Sequence, residues 1–299
     1  MTTRSLCVAP LIIAALALSA CGSAGVDANG TAGGKIAIVA SFYPLQFATQ
    51  QVGGDFVAVT SLTRPGAEPH DIELTPRAVA SVSKAGLVVY EKGLQGAVDK
   101  AVESQGDGHS LDVTPSANLD LKLANGSTDP HFWLDPQRYS EVAKVIAERL
   151  AQLDPAHRAD FERNAAVFED KLAALSLEFT TGLVSCQRRD IVTSHSAFGY
   201  LARRFGMRQI AINGLSPDQE PRAGALAAVS AYAKANEVTT IYAETLVSPA
   251  IAQTVATEAG AQMRTLDPIE GLTELSEGKD YFEVMRSNLK ALRAGQSCS

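Results

Sequence analysis

The strongest constraint on this chain is the stretch behind Asp154-Pro155. From there to about Gly182, the residues Phe161, Ala165, Phe168, Leu172 and Leu175 recur at intervals of three and four. That spacing puts one apolar stripe on one long helix. A helix of about 25 residues spans nearly 40 Å, enough to run along two lobes. On either side of it the chain alternates strand and helix. KIAIVAS, FVAVTS, LVVY and a short run near Leu111 to Val113 precede it; DIVTS, RQIAI, TTIYAE and QMRTLD follow. Each pair is separated by a helix-length or turn-rich segment, which argues for parallel sheets flanked by helices. The expected fold class is α/β: two parallel-sheet βα lobes joined by one long rigid helix, with a cleft between them. The expected divisions are an N-terminal lobe over 35–155, a linking helix over 156–183 and a C-terminal lobe over 184–299.

The N-terminus reads as a targeting segment. Arg4 precedes an apolar run from Val8 to Leu18, followed by Ser19-Ala20-Cys21-Gly22. A short basic region, about a dozen apolar residues and small residues before the cut describe an export signal over 1–20, too short to span a bilayer as a mature helix. LSAC followed by glycine resembles a bacterial lipobox. That resemblance implies cleavage before Cys21 and a diacylglycerol thioether on its sulfur, with residues 21–34, rich in Gly and Ala, as a flexible tether. The protein is expected outside the cytoplasm, lipid-anchored to the cell membrane. Loss of Arg4 with the signal takes the formal charge from −7 to −8. An acidic chain without a basic stripe is a poor nucleic-acid binder. Of four cysteines, Cys7 leaves with the signal and Cys21 carries lipid. Cys186 and Cys298 remain, an even pair in an oxidising compartment, and are expected to form a disulfide.

Three of the five histidines occupy matching places. His70 lies in the loop TRPGAEPHDIELTP after the second strand, His131 in STDPHFWLDP just before a helix starting at Pro136, and His195 directly after IVTS. Asp267 stands at the corresponding point after QMRTL. In open α/β sheets ligands bind beyond the carboxyl ends of strands. Neutral imidazole and carboxylate suit a four-coordinate zinc ion. His70, His131, His195 and Asp267 are therefore the expected metal ligands. Trp133, Tyr43 and Phe198 are expected to line or pack the cleft, with Glu68 a weaker extra carboxylate near His70. His109 and His157 read as surface residues.

The motifs PHDIELTP, DPHFWLDP, TSHSAFGYLARRFGM, IYAETLVSP and TLDPI resemble, in order over about residues 35–292, the ZnuA/TroA-like group of zinc- and manganese-binding proteins of bacterial ABC importers. Matched position by position, the resemblance implies the same four ligands, two four-stranded lobes and a rigid connecting helix. It also implies zinc as the cargo, delivered to a membrane permease and its ATPase by a monomeric receptor. Histidine at position 195 favours zinc over manganese. Glu244 corresponds to a lobe-bridging glutamate outside the ligand set. The chain departs from many zinc-type relatives in lacking a His-rich loop, since residues 104–128 hold only His109 and three aspartates. A manganese receptor, a secreted zinc hydrolase and a surface adhesin are the alternatives. The hydrolase is disfavoured because no HExxH helix is present and an acid stands ready to close the fourth position. There is no GxxxxGK[ST] loop, so the chain is not itself the ATPase, and no GxSxG elbow.

Overall fold

The structure is a computed structural model and describes residues 31–105, 108–123, 125–217, 221 and 223–299. The signal segment and Cys21 lie outside the described residues. The first sheet is built on β2 (Lys35–Ala40), with β3 (Val57–Ser61) on one side and β4 (Leu87–Tyr90) on the other, and β5 (Ser110–Asp112) beyond β4; all four are parallel. A fifth strand, β1 (Thr31–Ala32), pairs antiparallel with Lys35 and Ile36. Four residues of the expected tether thus turn back onto the sheet, through Gly33 and Gly34, both at positive φ. The lobe has five strands where four are implied by the resemblance. The second sheet has four parallel strands in the order β7 (Arg208–Ala211), β6 (Asp190–Thr193), β8 (Thr240–Ala243), β9 (Gln262–Thr265).

The first sheet is flanked by α1 (Tyr43–Gly53), α2 (Pro76–Lys84), α3 (Gly96–Gln105) and the short α4 (Thr114–Ala117). Then α5 (Pro136–Leu153) leads into α6 (Arg158–Leu183), and the second sheet carries α7 (Gly199–Arg204), α8 (Ala223–Ala235), α9 (Ala250–Ala259) and α10 (Tyr281–Gly295). Three of these starts are chemically explicit. Thr75 accepts the Ala78 N–H with Pro76 behind it, Asp135 accepts the Gln137 N–H, and Asp280 accepts the Glu283 N–H. Each satisfies a backbone donor that the first turn would otherwise leave unpaired.

The stripe on α6 is buried throughout, and Phe179 and Leu183 extend it. The helix packs against α1, α5 and α10. Phe168 of α6 meets Phe47 at 5.9 Å, Tyr139 at 5.4 Å and Phe282 at 5.7 Å between ring centroids. Residues of both lobes therefore share one aromatic core. Each such ring contributes about 1.5–3 kcal/mol of burial, so the lobes are welded along α6 and not loosely hinged on it. Gly182 allows the close approach of α10: a Cβ there would lie 3.0 Å from Leu289 Cδ1. The expected disulfide is present between Cys186 and Cys298, fixing the tail behind α10 to the segment behind α6.

Candidate metal centre

Three loops that carry site residues are built alike, from an acid, a proline and a braced third residue. The Glu68 carboxylate accepts the His70 N–H at 3.1 Å across Pro69. Asp129 Oδ1 accepts the His131 N–H at 3.0 Å across Pro130. Asp267 Oδ1 accepts the Ile269 N–H at 2.8 Å across Pro268. Proline fixes one dihedral and the carboxylate closes the turn, so the next side chains are aimed with little freedom. His195 reaches its place differently, two residues beyond the end of β6, with its N–H accepted by Glu244 Oε1 at 3.0 Å.

These loops bring together the Nε2 atoms of His70, His131 and His195. Their fourth companion is Glu270, and Asp267 is not among them. The cluster differs from the expected ligand set in this one acid. Both oxygens of Asp267 are spent on the loop, Oδ1 on Ile269 and Oδ2 on the hydroxyls of Thr245 at 3.0 Å and Ser276 at 2.9 Å. Ile269 then takes a left-handed backbone, φ 59°. For a β-branched residue this is a strained conformation, costing on the order of 1–3 kcal/mol. It turns the chain so that the next residue, Glu270, faces the histidines. Trp133 holds the turn from the other lobe by donating its indole N–H to the Pro268 carbonyl at 2.7 Å.

Glu270 Oε1 lies 3.2 Å from His70 Nε2, 3.0 Å from His131 Nε2 and 3.3 Å from His195 Nε2. His131 Nε2 lies 3.3 Å from that of His70 and 3.4 Å from that of His195. A tetrahedral zinc site with bonds of 2.0–2.1 Å has ligand-to-ligand edges of about 3.3–3.4 Å. Hydrogen bonding alone gives a poor account of the cluster. His131 Nδ1 is 2.8 Å from Asp129 Oδ1, and His195 Nδ1 is 2.7 Å from Glu244 Oε1, the latter outside good hydrogen-bond alignment. Carboxylates at Nδ1 place the ring proton there in the neutral tautomer, leaving Nε2 as a lone pair. With both rings neutral, the Nε2 lone pairs of His131 and His195 face Glu270 Oε1, and His70 Nε2 is left to donate to it.

The cluster is almost dry. The side chains of His131, His195 and Glu270 are fully buried and that of His70 is 6% exposed. Burial alone would favour neutral His131, but hydrogen bonds to Asp129 and Glu270 outweigh it and raise its pKa. The same competition, burial against Glu244 and Glu270, leaves His195 well above its ordinary value. Burial pushes Glu270 up, yet His195 and the other two rings hold it well below the ordinary carboxylate range. In the metal-free chain the pairing thus favours protonated His131 and His195 beside an ionised Glu270.

The remaining candidates fall outside the four. Glu68 Oε1 is 3.9 Å from His70 Nε2, a brace for the His70 loop with its pKa raised by burial. Glu244 supports His195 within the same lobe, where a lobe-bridging place was expected. Trp133 packs edge-on to Phe42 and against the His131 ring. His109 is half-buried and meets the Val82 carbonyl at 2.9 Å, where a solvated residue was expected. His157 stacks on Phe56. Ser194 and Ser196 donate to the Tyr242 and Asn213 carbonyls, away from any role as a nucleophile.

The chain matches the family model described as "ZnuA: Zinc-uptake complex component A periplasmic" over residues 38–295. It is 34% identical over 297 residues to the high-affinity zinc uptake system protein ZnuA of Bacillus subtilis, covering 93% of each chain. It is 37% identical over 281 residues to the zinc-binding lipoprotein AdcA of Streptococcus pneumoniae, covering 88% of this chain and 56% of that one. The crystal structure of the Zn(II)-bound ZnuA-like domain of that AdcA superposes with a TM-score of 0.76 at 38% identity, covering 88% of this chain and 99% of that domain.

Proposed function

This chain belongs to the ZnuA family, and from that premise we propose that it is the zinc receptor of an ABC importer. It captures the ion between two lobes through His70, His131, His195 and Glu270 and delivers it to a membrane permease driven by an ATPase. The observation that carries the reading is that five of the six separations among the four ligand atoms lie at 3.0–3.4 Å, close to the edges of a zinc tetrahedron. Three imidazoles with one carboxylate suit zinc better than manganese, which prefers oxygen donors. The chain is a transport receptor and not an enzyme: Glu270 fills the position that a catalytic zinc keeps open for water.

Capture and release place opposite demands on the site. Asp129 fixes the tautomer of His131, and Glu244 holds the His195 backbone and lies beside its ring, before the ion arrives, which limits the ordering cost of binding. The shared aromatic core along α6 keeps the lobes, residues 35–155 and 184–299, in a fixed relation. Release then falls to the loops, and the strained turn at Ile269 places stored conformational energy beside Glu270. The export signal and the LSAC sequence at Cys21 support a lipid-anchored receptor outside the cytoplasm.

A strain lacking the chain is expected to stop growing when zinc is chelated. The wild-type chain restores growth, and the His195→Ala variant does not. Full restoration by that variant overturns the reading. Replacement of Cys21 by alanine releases the protein from the membrane fraction; retention there contradicts lipid anchoring.

A further inference from the structure

We propose that Gly199 is a positioning residue for the metal site, acting through Asp129 to hold His131 in register with His195. The inference rests on the reading that these two histidines share one zinc ion. Gly199 opens α7, four residues beyond His195, and its backbone does not need glycine, since it is not among the residues at positive φ. What it supplies is room. A Cβ at this position would lie 2.4 Å from Asp129 Oδ2 and 3.2 Å from Leu121 Cδ1. Asp129 cannot yield freely. Its other oxygen, Oδ1, already accepts both the backbone N–H and the Nδ1–H of His131, at 3.0 and 2.8 Å. The residue is 1% exposed, and Oδ2 has no partner of its own.

The abutment therefore joins the brace of one ligand to the helix that follows another, across the two lobes. Neither side has an inexpensive escape. Rotation of the Asp129 carboxylate gives up both bonds to His131. Withdrawal of α7 gives up its other contacts with the first lobe: the Tyr200 hydroxyl accepting the Leu121 N–H at 3.3 Å, Arg203 on Asp120 at 2.6 and 3.0 Å, and Arg204 on Gln137. A methyl group at 199 is accommodated only by moving His131 or His195 from the common point.

The test is a double-mutant cycle on the full mature chain, with zinc affinity read by chelator competition and ligand geometry by the visible absorption of the cobalt(II) form. Gly199→Ala is expected to weaken zinc binding about tenfold to a hundredfold and to shift the cobalt spectrum, as loss of a brace does. In an Asp129→Ala background, where Oδ2 is gone, the same change at 199 is expected to cost less than about threefold. Equal penalties in the two backgrounds overturn the proposal, as does an unchanged spectrum. Should Gly199→Ala not fold, Asp129→Glu drives a longer carboxylate against the same glycine and is expected to lose at least about tenfold; wild-type affinity in that variant overturns the proposal. Weak zinc binding by the wild-type chain would instead defeat the receptor reading, so the two failures are distinguishable.

Discussion

Trp133 donates its indole N–H to the carbonyl of Pro268, 135 residues away in sequence, at 2.7 Å. The bond ties the segment that carries His131 to the turn that carries Glu270, and both partners are buried. Its neighbour Tyr281 completes the tie by donating its hydroxyl to the Trp133 carbonyl at 2.6 Å. Trp133 is thus a structural clamp between two ligand loops, a sharper role than that of a cleft wall.

Replacing Trp133 by phenylalanine keeps an aromatic ring and leaves the Pro268 carbonyl buried without a donor, at a cost of about 1–3 kcal/mol. Zinc affinity is expected to fall about tenfold. Calorimetric titration of the variant checks this, and an affinity equal to wild type would show that the turn holds Glu270 without the clamp.

Glu270→Gln and Asp267→Asn are matched isosteric changes with different expected outcomes. The first replaces a charged ligand by a poorly coordinating amide and is expected to cost at least about tenfold in zinc affinity. The second keeps an oxygen for the Ile269 N–H, and the Thr245 and Ser276 hydroxyls can reverse to accept from the amide. Its expected change is less than about threefold. The opposite ranking in a competition assay would return Asp267 to the ligand set.

What the sequence makes legible follows from the type of each signal. The stripe on α6 is plain because apolar residues recur at three and four from Phe161 to Leu175. The three histidines stood out because each sits in a turn or at a strand end with polar neighbours. The acid of the cluster is not legible, because TLDPIE offers two carboxylates three residues apart and their orientation depends on a left-handed isoleucine that no propensity anticipates. One clue was present. Glu68-Pro69 and Asp129-Pro130 precede ligands as braces, and Asp267-Pro268 repeats that pattern with the ligand one residue further on. The β1 hairpin was hidden because two residues carry no usable periodicity.

The protonation pattern gives a pH prediction of definite sign. His131 and His195 have raised pKa values in the fold, from an ordinary 6.5. Their pairing with carboxylates stabilises the metal-free protein in full below about 6.5 and is lost as pH rises through the raised values. Glu270, held below its ordinary 4.5, adds stability present above that value and lost as pH falls through the lowered one. The metal-free protein should therefore melt at a lower temperature at pH about 8 than at about 6. Zinc displaces those protons, so the melting shift on adding zinc should grow over the same interval. Thermal scans with and without zinc check both, and a zinc shift that shrinks toward alkaline pH contradicts the assignment.

The disulfide lies at the end of the second sheet away from His195. Gln296, two residues before Cys298, donates to the carbonyl of Asp190 at the amino end of β6, whereas His195 follows its carboxyl end. The bridge spans 112 residues of sequence, and closing a loop of that size raises the free energy of the denatured state by about 4–5 kcal/mol through lost chain entropy. The double variant Cys186→Ser, Cys298→Ser is expected to lose stability of that order in denaturant, with zinc affinity within about twofold of wild type. A large loss of affinity with intact stability would place the bridge in the binding function.

The receptor reading turns on zinc being held by three imidazoles and Glu270. Diffraction from crystals of the zinc-loaded protein, collected on both sides of the zinc absorption edge, tests it most directly. One strong anomalous peak is expected about 2.0–2.2 Å from the Nε2 atoms of His70, His131 and His195 and from a carboxylate oxygen of Glu270. A peak bonded to Asp267 in place of Glu270, or one lying outside the histidine cluster, would contradict it.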